Sequence, residues 1–293
     1  MIRPTSLTEF AESYVADRFD LSEGYRAELL RAVKQLNEWA GYDLPLGDLS
    51  VRLVSDFLRS RIANSSPVTV NNKRRELLTL WNAAAEAGLV LSPGTIRRLQ
   101  EPLDPPSAWT VEEVRTLVEQ CQQEQGYIAG ISAGLWWATF VMAIYWTGTR
   151  PSALLQVRPE DLHGDGLLIR GASQKNRRGQ WHPLPLSFLG ELRQMGGGPE
   201  RLWPWPYHRN TLFASFRRIV EKAKIPLPLG GRQLFYRLRR THLSYCAAAD
   251  PLLAQRQAGH ADYRTTERHY IDPRIARQRT AADVLPMLNV PRE

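Results

Sequence analysis

Cysteine is scarce. Cys121 and Cys246 are the only two among 293 residues, so neither a disulfide scaffold nor a cysteine-based zinc cluster can be built. That points to a reduced, cytoplasmic compartment, and the opening MIRPTSLTEF lacks the apolar core of a secretory signal. Glycine and proline, 20 of each, stay near average usage. With 43% hydrophobic and 23% charged residues, collagen-like, coiled-coil and wholly disordered readings are excluded. Charge is missing altogether from Gln125 to Thr149, a run of 25 residues, long enough to span a bilayer. Gly126, Gly130, Ser132, Gly134, Thr139, Thr147 and Gly148 interrupt its apolar character. The expectation is a buried core helix and no membrane partner.

Acidic residues thin out along the chain. Residues 1–106 hold 13 Lys and Arg against 14 Asp and Glu, a net of −1. Residues 107–293 hold 25 against 16, a net of +9. The overall charge of +8 therefore sits in one part of the molecule. A basic half this uneven points to a polyanion, most often nucleic acid.

The first hundred residues read as helices. Tyr25, Leu29, Val33, Leu36 and Ala40 recur at helical spacing, with Gly41 as the C-cap. Val51, Val54, Phe57, Leu58 and Ile62 form a second amphipathic set. Val70, Leu77, Leu80, Trp81 and Ala84 form a third, stopped by Gly88 and carrying the basic run Lys73-Arg74-Arg75. Between Pro93 and Trp109 the periodicity fails, and Pro102, Pro105 and Pro106 mark a linker with a boundary near Asp104. Thr110 and Glu113 form a capping box opening a helix to about Gln123. Gly166–Ala172 and Trp181–Leu186 read as short strands flanking the basic turn Lys175-Asn176-Arg177-Arg178-Gly179, and from about Thr211 the pattern is helical again.

Three clusters in the basic half are hard to explain as scaffolding. They are Thr147-Gly148-Thr149-Arg150-Pro151-Ser152, then Tyr236-Arg237-Leu238-Arg239-Arg240-Thr241, then Ala258-Gly259-His260 followed by Thr265-Thr266-Glu267-Arg268-His269-Tyr270. In that order and spacing they resemble the tyrosine recombinase (phage integrase) family over about Thr110 to Pro273. The helix from Asn71 to Gly88 is similar to that family's core-binding domain.

The resemblance implies a mostly α fold. A helical, SAM-like core-binding domain is expected over residues 1–104. A mixed, mainly α-helical catalytic domain with a small antiparallel β-sheet and a C-terminal tail is expected over 105–293. It also implies the site: Arg150 and Arg239 as the phosphate clamp, Lys175 as general acid, His260 as a hydrogen-bond donor and Tyr270 as nucleophile. Tyr236 takes the place of the family's usual histidine, and Ala153 the place of a usual acidic residue. Lys73, Arg74, Arg75, Arg177, Arg178 and Arg240 are the expected DNA contacts.

The residue types suit the chemistry. Breaking a phosphodiester without metal needs a nucleophile, a proton donor for the leaving oxygen and cations for the charge on the non-bridging oxygens. Guanidinium can clamp those oxygens bidentately, which lysine cannot. The implied function is site-specific cutting and rejoining of double-stranded DNA through a 3′-phosphotyrosine, in a tetramer on DNA, with no cofactor and no metal. The layout is expected to be closer to the simpler Xer-like members than to integrases with an arm-binding domain. By the same resemblance the apolar tail from Val284 to Val290 is expected to dock on a neighbouring protomer, with packing back on its own domain as the alternative. The alternatives are an inactive DNA-binding relative and a type IB topoisomerase-like enzyme.

Overall fold

A computed structural model describes residues 6–102, 105–174, 177–227 and 234–276. The chain divides into two compact units, Met1–Leu103 and Asp104–Glu293. Lys175, Asn176 and the apolar C-terminal tail lie outside the described residues.

Four helices build the first unit: α1 (Leu7–Asp17), α2 (Glu23–Ala40), α3 (Val51–Ile62) and α4 (Pro67–Glu86). Each starts at a serine. Ser6, Ser22, Ser50 and Ser66 accept from the backbone N–H three residues on, satisfying a donor the helix cannot pair internally. Pro67 begins α4, so that helix starts three residues before the apolar periodicity does. The enclosed side chains are Leu29, Leu36, Val54, Phe57 and Leu80, the set the helical spacing singles out.

The basic run on α4 needs a correction. Lys73 is 8% exposed, and its ammonium pairs with Glu76 at 2.8 Å and Glu28 at 3.3 Å. It is an internal ion pair and not a surface cation, because Glu76 is itself buried and requires it. Arg74 donates from Nε to the Ile96 carbonyl at 2.7 Å. Beside it, Asn71 exchanges hydrogen bonds with both backbone groups of Leu99. These bonds strap the segment after α4 onto the helix. Arg75 is exposed.

In the second unit the capping box is present: Thr110 and Glu113 bond reciprocally at the start of α5 (Val111–Gln122). The uncharged run is not one helix. Its first part is a hairpin, β1 (Tyr127–Ile128) paired antiparallel with β2 (Ile131–Ser132). The turn runs through Ala129 and Gly130, both at positive φ. Only α6 (Ala133–Thr147) is helical. At about 1.5 Å per residue its 15 residues reach roughly 22 Å, and no helix of the described residues is long and apolar enough to cross a membrane. Trp136, Phe140, Val141, Ala143 and Ile144 are all fully enclosed along it, against an aromatic cluster with Trp203, Trp205, Phe216 and Phe235.

After the short helix α7 (Pro151–Leu154), β3 (Leu162–His163), β4 (Gly166–Ile169) and β5 (Gln180–Pro183) form an antiparallel sheet in the order β3-β4-β5. Both expected strands end early. Arg170 is drawn to Asp161 at 2.6 Å, after which Gly171–Ser173 is a 3₁₀ turn. Pro183 and Pro185 have no N–H for a ladder, and Leu186 already opens α8 (Leu186–Met195). The remaining helices are α9 (Arg209–Lys222), α10 (Leu234–Ala249), α11 (Pro251–Ala258) and α12 (Tyr263–Tyr270).

Candidate active site

The site begins at the end of α6. Gly148 adopts the left-handed conformation, φ +62°, and closes the helix with its N–H on Ile144. A side chain there is excluded twice over, because a β carbon would also lie 2.5 Å from the His242 ring. This turn sends the chain to Arg150, which caps α7 ahead of Pro151. Arg150 is half-buried; its carbonyl accepts from the Ala153 and Leu154 N–H groups, which leaves its guanidinium as the part available to the site.

Arg239 comes from the middle of α10 and is 4% exposed. Its Nη1 donates to the Gly148 carbonyl and its Nη2 to the Ala258 carbonyl at 2.8 Å. Its Nε is buried without a hydrogen-bond partner among the described residues. Burial, then the nearby charge of Arg150, lowers the Arg239 pKa, and the largest opposing influence is Tyr270. Two guanidiniums within electrostatic reach, with tyrosines as the main counterweight, make a socket for an anion.

Helices α11 and α12 complete it. Gly259 ends α11 in the left-handed conformation and releases His260. The His260 Nδ1 lies 2.9 Å from the hydroxyl of Thr266, which is fully buried. The imidazole is therefore free toward the socket only through Nε2. Burial, Arg239 and Arg150 push its pKa down to about 4, so it is neutral at pH 7. Tyr270 is the last residue of α12. The Arg239 guanidinium stands 5.1 Å from its ring centroid, and the His260 ring stands 5.2 Å away. The chain after Tyr270 is anchored: the Asp272 N–H donates to Ser244 at 2.8 Å, and its buried carboxylate accepts from Ala108 and Arg274.

Arg150, Arg239, His260 and Tyr270 thus come together from four separate elements. Tyr236, one turn before Arg239, is 38% exposed. Arg240 donates to the His269 carbonyl at 3.2 Å, so it braces the end of α12. Arg177 and Arg178 are exposed beyond the sheet. The other nearby tyrosines sit elsewhere: Tyr263 opens α12 at its far end, and Tyr245 is on the exposed side of α10.

The sequence reading missed His242, His182, Thr266 and Asp272. His242 repeats the Arg239 face three residues on, a spacing visible in the sequence. His182 on β5 carried no signal, since strand alternation does not separate a buried histidine from a packed one.

No known sequence family and no curated protein matches the chain by sequence. Among solved structures it is similar to a lambda integrase dimer bound to a COC′ core site. The identity is 16%, with 94% of this chain and 98% of that chain covered at a TM-score of 0.72. It is also similar to a lambda integrase tetramer bound to a Holliday junction, at 17% identity over 89% of this chain and 76% of that one, TM-score 0.68. A Tn1549 transposon integrase with a circular intermediate DNA gives 13% identity, 96% and 97% coverage and a TM-score of 0.67. The chain has the fold of these integrases.

Proposed function

We propose that the chain is a tyrosine-type site-specific DNA recombinase. The observation that carries the reading is the buried guanidinium of Arg239, which stands 5.1 Å from the Tyr270 ring and whose Nε has no hydrogen-bond partner among the described residues. A buried donor left unpaired costs about 1–3 kcal/mol, and a phosphate oxygen would remove that cost. The basic charge of residues 107–293 and the fold shared with DNA-bound integrases support the same reading.

In the proposed reaction the Tyr270 Oη loses its proton to solvent, attacks a DNA phosphorus and forms a phosphotyrosine, while the bond to the 5′-oxygen breaks. The leaving oxygen takes its electron pair and a proton, with Lys175 as the assigned donor. Arg150 and Arg239 hold the non-bridging oxygens, and His260 acts through Nε2. The bond energy is kept in the phosphotyrosine, so a 5′-hydroxyl from a second duplex can reverse the step. Strand exchange is assigned to a tetramer on DNA, residues 1–104 to the core-binding role and 105–293 to catalysis.

The test is covalent capture. Nicked duplexes with a randomised central sequence are incubated with the protein, and species surviving denaturation are sequenced. The wild-type chain and Tyr263→Phe form a protein–DNA adduct; Tyr270→Phe forms none. An adduct that persists in Tyr270→Phe overturns the nucleophile. DNA binding with no adduct on any duplex selects the inactive-relative reading, which Tyr236 and Ala153 favour.

A further inference from the structure

The C-terminal turn of a helix leaves carbonyls that the helix cannot satisfy. At the end of α6 the Gly148 N–H returns to Ile144 at 2.8 Å, and the Tyr145 and Gly148 carbonyls turn to another element. Helix α10 meets both from consecutive turns. The His242 Nδ1 lies 2.9 Å from the Tyr145 carbonyl, and Arg239 donates to the Gly148 carbonyl. A carbonyl only accepts, so Nδ1 carries the ring proton and Nε2 is left as an acceptor facing the Cys246 Sγ at 3.6 Å. Contact is close, since the His242 Cδ2 fills the space a β carbon on Gly148 would need. The other polar groups facing the ring are His182 and Gln257. Burial, with the Arg239 charge adding to it, pushes the His242 pKa down to about 4. At neutral pH the ring is an uncharged donor beside a guanidinium.

We infer that His242 is a positioning residue: it locks the end of α6 to the arginine helix and so holds the Gly148 turn, and with it Arg150, in register with Arg239. The inference rests on the phosphoryl-transfer reading of the site. A one-ångström displacement of a clamp is enough to cost a large factor in rate without disturbing groove contacts elsewhere.

Two variants separate donor from filler. His242→Phe keeps a ring and removes the donor; His242→Asn places an amide N–H near the Nδ1 position. Each is measured for adduct formation rate on the captured nicked duplex, for duplex affinity, and for the side-chain Nε–H resonance of Arg239, assigned by its loss in Arg239→Lys. His242→Phe is expected to slow adduct formation at least tenfold at saturating protein, leave affinity unchanged, and shift and broaden the resonance. His242→Asn restores rate and resonance. Should the Phe variant fail to fold, His242→Gln replaces it, because its amide reaches the Nε2 position instead. A variant with no donor at the Nδ1 position that keeps wild-type rate and an unshifted resonance overturns the inference, as does an Asn variant no better than it. If the wild-type chain forms no adduct, the recombinase reading fails, while the resonance still decides whether His242 positions Arg239.

Discussion

Arg239 shows how much one side chain can be asked to do. Two of its donors hold backbone carbonyls from the end of α6 and from α11, one face lies over Tyr270, and Nε has no partner among the described residues. Arg239→Lys keeps a charge but loses the planar fork. The expected outcome is a fall in adduct formation on the order of 10²–10³-fold, the range for removing a preorganised donor to a developing charge. On the proposed reading, duplex affinity at a fixed salt concentration should change little, since a net charge of +9 over residues 107–293 leaves many other cations for phosphate contacts. Equal losses in both would make Arg239 a binding residue. Histidines set the acid limit of the fold. His182 and His242 are both held near pKa 4 from a usual 6.5, chiefly by burial. Between those values the unfolded chain binds more protons than the folded one, so stability rises with pH and is lost as pH falls from about 6.5 toward 4. Each enclosed ring accounts for up to roughly 3 kcal/mol over that window. Urea midpoints at pH 7, 5.5 and 4.5 should drop accordingly, and His182→Leu should flatten the dependence.

At the scale of elements, α4 separates a buried cation from an exposed one. Lys73 lies in the buried pair with Glu28 and Glu76, whereas Arg75 is exposed one residue past Arg74. Lys73→Ala leaves Glu76 buried without its cation and should lower stability by about 3–5 kcal/mol. It should leave the salt slope of DNA affinity where it was. Arg75→Ala is expected to do the reverse, with melting unchanged and the slope of log affinity against log salt reduced by about one. A Lys73→Ala protein of full stability would show that Glu76 finds another partner.

Each unit of the whole molecule contains its own core. One hydrophobic cluster draws on residues from Leu7 to Leu99, and a second runs from Trp109 to Leu238. A fragment ending at Pro102 is therefore expected to melt cooperatively by itself, with calorimetry as the check. The charge is divided unevenly, −1 before Ser107 and +9 from there on. The fragment beginning at Ser107 should bind duplex with most of the salt dependence of the full chain. A non-cooperative first fragment would mean its four helices need the second unit to fold.

The sequence by itself determined three of the four helices of the first unit (α1 was missed), the capping box at Thr110, the proline-marked break and the grouping of charge. All of these rest on local rules: 3.6-residue periodicity, caps and composition. Through its resemblance to the tyrosine recombinases it also pointed to Arg150, Arg239, His260 and Tyr270, each of which lies in one of the short motifs that carry that resemblance. Tertiary structure decided the rest. Whether Lys73 faces solvent or an internal carboxylate depends on Glu28, 45 residues away on α2. The uncharged run could read as one long helix until Ala129 and Gly130 took positive φ and made a hairpin. His242 and His182 acquire their depressed pKa values from burial beside Arg239, and burial arises from packing between α6, α10 and β5. Such properties belong to pairs of residues distant in the chain, and no local pattern encodes them.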